Sequence, residues 1–314
     1  MIKAEHLSKR YGTKMALYDV SFSIEKGEVA GFLGPNGAGK STTMNLLCGY
    51  LEPTWGHVEV AGVDMALHPL AARQHIGYLP EVPPLYMDMT VSEQLLFACD
   101  LRGLPQRGPL RQSYIDSLCR KMELLDVKHR LIRNLSKGYR QRVAVTQMLV
   151  GSPEILILDE PTVGLDPRQI REFRDLLAHL AAEHTIILSS HILSEIRSSC
   201  NRVLIFQEGR LIAEGQPERL QESLSGKKVL LAEIRGDWDV AARTLEALPE
   251  VLSVETEDAG DERHFQIACQ PGTDIRGQVY EALKPLACTL LALRPQEVSL
   301  ESLYLEITGR EEEF

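Results

Sequence analysis

Long hydrophobic runs are missing from this 314-residue chain. Its longest uncharged stretches, residues 29–39 and 143–153 among them, are eleven residues long, well short of the roughly 18 to 20 apolar residues that span a bilayer. The chain is expected not to cross a membrane. The start, Met1-Ile2-Lys3-Ala4-Glu5-His6, carries an acid at once and no apolar core with a small-residue cleavage site, so no signal peptide is expected and the chain is placed in the cytoplasm. Cysteine is sparse and scattered: Cys48, Cys99, Cys119, Cys200, Cys269 and Cys288 form no C-x-x-C pair. That spacing excludes a thiolate zinc site and a disulfide scaffold, and the thiols are expected to be buried or incidental. Excess positive charge is missing too. The net charge is -10, and residues 226–314 hold 18 acidic against 9 basic side chains while the first 225 residues are nearly balanced. No nucleic-acid footprint is expected. What remains is an ordinary globular composition, 44% hydrophobic and 25% charged, long enough for two domains.

The charge shift coincides with the small and charged stretch Gln221-Glu222-Ser223-Leu224-Ser225-Gly226-Lys227-Lys228, and a domain boundary is placed near residue 225. Before it, apolar strand candidates at Val29–Leu33, Ile76–Leu79, Ile155–Leu158, Thr185–Ser190 and Arg202–Phe206 alternate with helix-length segments. This is the rhythm of an α/β fold with a mainly parallel sheet. Residues from about 83 to 150 break it: helical patterns at Val91–Leu101 and Leu110–Leu125 follow one another with no strand between, as in a helical insertion. After residue 226 the order reads strand (228–234), helix (240–248), strand (251–256), turn at Gly260, strand (264–269), helix (274–283), strand (289–293) and a last helix at 300–307. Such a β-α-β-β-α-β order predicts a small ferredoxin-like α+β module.

Gly34-Pro35-Asn36-Gly37-Ala38-Gly39-Lys40-Ser41, followed by Thr42, fits the G-x-x-x-x-G-K-[ST] phosphate loop, lies after the strand Val29–Leu33 and opens a helix over 41–48. Glycines let the backbone wrap phosphates, and the helix N-terminus supplies oriented N–H groups and a positive dipole. Lys40 is suited to bridge the terminal phosphates and Ser41 to ligate Mg²⁺. About 120 residues later the apolar strand Ile155–Leu158 ends in Asp159-Glu160, at the edge where open α/β sheets bind ligands. Asp159 is suited to hold Mg²⁺ and Glu160 to orient or deprotonate the water that attacks the γ-phosphate.

Leu135-Ser136-Lys137-Gly138-Tyr139-Arg140-Gln141-Arg142 stands just ahead of that strand. Taken alone it is also a helix N-cap, since Ser136 precedes an amphipathic helix to Val150. Together with the phosphate loop and the acidic pair it resembles the signature of the ATP-binding subunit of ABC transporters, over essentially residues 2–225; kinases and GTPases with a similar loop do not carry it. The resemblance implies a P-loop NTPase ABC nucleotide-binding domain that binds ATP with Mg²⁺. It implies that Ser136 and Gly138 face the γ-phosphate held by a second subunit, so that one chain is half an enzyme, and that Asp166 of Pro161-Thr162-Val163-Gly164-Leu165-Asp166 belongs to a loop crossing the dimer interface. Tyr11 resembles the aromatic that stacks on adenine, and His191 the switch histidine at the γ-phosphate. Val82-Pro83-Pro84-Leu85-Tyr86-Met87-Asp88-Met89-Thr90 resembles the groove that receives a helix of a membrane permease. The tail Ser299–Thr308 is similar to the end of small C-terminal domains in export-type members, where a dimer-stabilising or regulatory role is expected.

These resemblances imply the ATP-hydrolysing subunit of an export-type transporter, paired with a second such subunit and with integral membrane permease subunits on the cytoplasmic face. The alternative, a soluble ABC ATPase acting on ribosomes or nucleic acid, would typically show tandem cassettes or a long coiled-coil insertion; this chain has one phosphate loop and no sustained heptads. Glu81 stands where many members have glutamine. A carboxylate can ligate Mg²⁺ but cannot donate a hydrogen bond when ionised, so Glu81 is expected to line the metal site. Glu81→Ala is therefore expected to weaken the Mg²⁺ dependence of ATP turnover and to lower the rate, measured by titrating phosphate release against Mg²⁺.

Overall fold

The computed structural model describes residues 1–105, 107–217, 220, 228–258, 263–270, 274–286 and 288–295. The chain divides into two compact units, Met1–Pro217 and Glu218–Phe314. The sequence boundary near residue 225, the turn at Gly260 and the helix expected at 300–307 lie outside the described residues.

The first unit is built on a six-stranded sheet ordered β10-β9-β3-β8-β7-β6. Its strands are β3 (Val29–Leu33), β6 (Ile76–Leu79), β7 (Ile155–Leu158), β8 (Thr185–Ser190), β9 (Arg202–Gln207) and β10 (Arg210–Gly215). All pairings are parallel except that of β10 with β9. Every residue of β3, β7 and β8 is buried, as expected for central parallel strands covered on both faces. The first four strand candidates fall on the observed residues because such runs are short and mainly apolar.

A second sheet was not foreseen. Strands β1 (Ile2–Tyr11), β2 (Lys14–Ile24), β4 (Trp55–Val60) and β5 (Val63–Asp64) form an antiparallel sheet ordered β2-β1-β4-β5. Register shifts between Ala4 and Leu7 and again up to Arg10 break the alternation that would reveal a strand, and His6 and Asp19 carry positive φ at these irregularities. The helix that follows the phosphate loop, α1 (Lys40–Leu47), contacts β2 and β4 of this sheet. It is buried through Met44, Leu46 and Leu47, in a core shared with Ile2, Leu17 and Ile24 from one sheet and Phe32, Ile157 and Phe206 from the other. Phe32 meets Phe22 edge-on at 5.4 Å and Phe206 at 5.0 Å. The phosphate loop therefore enters a helix held on two sides by packed side chains.

Helix α2 (Pro69–Gln74) precedes β6, and helices α3 (Val91–Leu101), α4 (Pro109–Lys121) and α5 (Lys137–Leu149) fill the segment from β6 to β7. Thr90 and Glu93 cap α3 reciprocally. The helix expected over 110–125 instead stops at Lys121. Glu123 turns left-handed (φ 56°) and the Leu124 N–H donates back to the Cys119 carbonyl at 2.7 Å, a Schellman-type stop that buries Leu124. Helices α6 (Pro167–Ala181) and α7 (Leu193–Ser199) complete the unit, α7 contacting β3 and β8. No helix among the described residues is long and apolar enough to cross a membrane.

In the second unit β11 (Lys228–Gly236), α8 (Trp238–Glu246), β12 (Val251–Asp258), β13 (Arg263–Cys269), α9 (Arg276–Leu283) and β14 (Cys288–Pro295) follow the β-α-β-β-α-β order. The sheet is antiparallel, ordered β12-β13-β11-β14, which is the ferredoxin-like arrangement. Its core joins Leu230, Ile234, Phe265 and Ile267 of the sheet to Leu245, Val279 and Leu283 of the helices.

Five cysteines are buried and Cys288 is half-buried. Burial pushes the Cys48 and Cys200 thiols far above their ordinary range and Cys119 up to about 11, so the reactive thiolate is suppressed. At pH 8 a thiol-specific disulfide reagent is expected to modify at most Cys288 in the native chain, and all six cysteines once denaturant is added.

Candidate nucleotide site

The loop between β3 and α1 is shaped by what surrounds it. A Cβ on Gly34 would strike the Phe206 carbonyl, and one on Gly39, at φ 105°, would lie 2.7 Å from Leu17 Cδ2 and 3.1 Å from the Ala16 carbonyl. Neither position has room for a side chain. Gly39 is the N-cap of α1 and offers no side-chain cap, so the first-turn N–H groups keep their capacity to bind an anion.

Lys40 folds back over this loop. Its Nζ donates to the Gly34 carbonyl at 2.6 Å and the Pro35 carbonyl at 3.3 Å, and lies 3.4 Å from Glu160 Oε1. Lysine and glutamate are 5% and 8% exposed, so this is a nearly dry ion pair. Removing one member of such a pair costs about 3–5 kcal/mol. Glu160 Oε1 accepts no hydrogen bond, while Oε2 lies 3.0 Å from His191 Nδ1. The Glu160 backbone has φ 46°, a left-handed conformation uncommon for this residue type. It turns the chain out of β7 into the cavity.

Asp159 lies behind the loop. Its Oδ1 accepts from Ser41 Oγ at 3.1 Å and from Ser189 Oγ at 2.6 Å, and Ser189 Oγ in turn accepts the Glu160 N–H at 2.8 Å. Ser189, absent from the sequence reading, thus sets both acids. The only hint was a pair of hydroxyls ending an apolar strand just before His191.

Tyr11, residues 35–42 of the phosphate loop, Glu81, Glu160 and His191 line one cavity of about 920 Å³. Tyr11 is half exposed there, with Lys9 Nζ 5.4 Å from the centre of its ring. Ser136, Gly138 and Asp166 do not line it. Ser136 caps α5, accepting the Tyr139 N–H at 3.4 Å, and Gly138 sits in the first turn of that helix against Gln169. Asp166 caps α6 through the Arg168 and Gln169 N–H groups, both at 2.9 Å. Among the described residues no cluster of three or more His, Cys, Asp or Glu could hold a metal by itself. A hydroxyl and a carboxylate in contact, Ser41 and Asp159, nonetheless suit a hard cation that takes its other ligands from phosphate and water.

A phosphate loop at the carboxyl edge of a parallel sheet, a buried Asp-Glu pair at the end of β7 and a capped signature helix define the nucleotide-binding class of transport ATPases. The chain belongs to the ABC transporter family, whose model matches residues 17–163. It is 31% identical over 311 residues to the linearmycin resistance ATP-binding protein LnrL of Bacillus subtilis (strain 168), covering 99% of both chains. Against the bacitracin transport ATP-binding protein BcrA of Bacillus licheniformis it is 32% identical over 314 residues, covering 98% of this chain and 97% of that one. Among solved structures, cbiO1 from Clostridium perfringens, part of the ABC transporter complex cbiONQ, aligns with a TM-score of 0.64 at 29% identity over 70% of this chain and 89% of that one. The chain is an ATP-binding, ATP-hydrolysing ABC transporter subunit.

Ser189→Ala leaves the buried Glu160 N–H unpaired and removes a donor from Asp159. It is expected to destabilise the first unit by about 1–3 kcal/mol, measured by denaturant unfolding.

Proposed function

We propose that this chain is the cytoplasmic ATPase of an export-type transporter, in which two copies, or one copy and a homologous partner, enclose two Mg-ATP molecules between the phosphate loop of one and the signature of the other. The observation that carries this reading is the separation of the two halves: Lys40, Glu160 and His191 share a cavity from which Ser136 and Gly138 of the same chain are absent. A second subunit supplies the missing wall. Helix α5 would present its N-terminus to the partner's γ-phosphate, adding oriented N–H groups where charge develops. Asp166 would lie at the same interface.

Within one site, Lys40 exchanges its carbonyl and Glu160 contacts for the terminal phosphates. The Tyr11 ring takes the adenine. Ser41 and Asp159 would hold Mg²⁺, with Glu81 at the rim of the cavity; the bound ion would offset phosphate charge. Glu160 Oε1, buried and without a hydrogen bond, is the acceptor available to the attacking water, and His191 holds the other oxygen. Residues 1–225 form the ATPase domain, with 83–150 as its helical insertion, and 226–314 an accessory domain with a dimer-stabilising or regulatory role.

A second groove supports a membrane partner. Tyr50, Leu70, Arg73, Tyr78, Leu101 and Arg102 line it, and Glu81 lines both this groove and the nucleotide cavity. Val82, Tyr86 and Met87 are exposed beside it. Closure around ATP would thus be felt by a permease helix seated in the groove, a population shift driven by nucleotide.

Glu160→Gln should retain ATP and accumulate a dimer. Purified with Mg-ATP from detergent-solubilised native membranes, it is expected to bring a multi-span membrane protein, identified by mass spectrometry. A strictly monomeric ATP-bound variant would contradict the dimer reading, and ribosomal or nucleic-acid partners would contradict the transporter reading.

A further inference from the structure

Glu195 is a buried acid, 7% exposed, in the first turn of α7. Its Oε2 accepts two hydroxyls, Thr162 Oγ1 at 2.6 Å and Ser190 Oγ at 2.9 Å. Ser190 Oγ accepts the Ile192 N–H at 3.0 Å in turn. Each donor stands beside a group of the nucleotide cavity: Thr162 is two residues after Glu160, and Ser190 is the residue before His191. Since His191 Nδ1 and Glu160 Oε2 are 3.0 Å apart, the two segments close into a ring. Its members run Glu160, Pro161, Thr162, Glu195, Ser190, His191 and back to Glu160.

We propose that Glu195 is a positioning residue for ATP hydrolysis, fixing the segment after β7 to the segment after β8 so that Glu160 and His191 stay in register. A carboxylate oxygen taking two hydroxyl bonds in a nearly dry site is a stiff joint, because charge-assisted bonds are roughly twice as strong as neutral ones. Without that acceptor the Thr162 and Ser190 side chains lose the bonds that tie the two segments to each other. The ring also has an input. Gln141 Nε2 on the signature helix donates to the Pro161 carbonyl at 2.7 Å, and Gly164, three residues on from Pro161, sits against the Lys137 side chain of the same helix. A shift of α5 on meeting the partner's nucleotide is therefore delivered to Pro161 and, through Thr162 and Glu195, to His191. In this way the occupancy of one site sets the alignment of the hydrolytic pair in the other.

This inference rests on the reading of Glu160 and His191 as the hydrolytic pair, so the test includes Glu160→Gln beside the Glu195 variants. Steady-state phosphate release by the full-length chain with Mg-ATP is measured for each. Glu195→Ala is expected to lower kcat about 10- to 100-fold, the range of a misaligned catalytic group, with KM for ATP changed by about twofold or less. Glu195→Gln keeps an acceptor oxygen at the same place and is expected to restore most of the turnover. Thr162→Val combined with Ser190→Ala removes both donors at nearly constant volume. It should match Glu195→Ala, and adding Glu195→Ala to it should cost nothing further. That pair also carries the test if Glu195→Ala does not fold. Unchanged kcat in the folded Glu195→Ala and Thr162→Val/Ser190→Ala chains, a loss that Glu195→Gln does not restore, or additive losses would overturn the proposal. An active Glu160→Gln would instead overturn the reading of the hydrolytic pair, whereas an inactive Glu160→Gln beside a wild-type Glu195→Ala would overturn only the role of Glu195.

Discussion

The nearly dry contact between the Lys40 ammonium and the Glu160 carboxylate is the constraint around which the nucleotide site is arranged. Neither charge has water to fall back on, so each must be held by protein or by ligand. The phosphate loop answers for the lysine by turning the Gly34 and Pro35 carbonyls inward, with the Phe206 carbonyl packed so close that Gly34 has no space for a side chain. The end of β7 answers for the glutamate, with a left-handed backbone at Glu160 and an amide tied to Ser189. An anion entering this space would have to compete with these partners for Lys40.

How far the sequence exposed this depends on how local each feature is. The phosphate loop, the Asp159-Glu160 pair and the signature are contiguous strings whose chemistry lies in the residue types themselves. Strands β3, β6, β7 and β8 are short, mainly apolar runs, legible without knowledge of their neighbours. The sheet formed by β1, β2, β4 and β5 escaped because its bulges at His6 and Asp19 shift which side chains point inward, and no simple period survives two such shifts. The end of α4 escaped for a different reason. Glu123 adopts a conformation expected of glycine, and what stabilises it there is the Leu124 N–H bonded to Cys119 together with burial of Leu124. Ser189 and Glu195 were hidden by distance, since their partners lie about 30 residues away in the chain.

The first two turns of the signature helix face different obligations. At its start Ser136 satisfies the helix with its own hydroxyl while staying outside the chain's own nucleotide cavity. Further along, Gln141 reaches the residue after Glu160. Within two turns, one helix thus joins a cap outside that cavity to the backbone beside Glu160.

The ferredoxin-like order of the second unit has a consequence for biosynthesis. Its first strand, β11, is flanked by β13 and β14, the last two of its described strands in chain order. A nascent chain stopped before residue 288 has made β11 but neither its second neighbour nor the edge that shields it. The first unit, whose last strand β10 ends at Gly215, can fold as soon as that residue is clear. A chain cut before residue 288 would leave β11 paired with β13 on one side and open on the other, an exposed edge ready to pair with another chain.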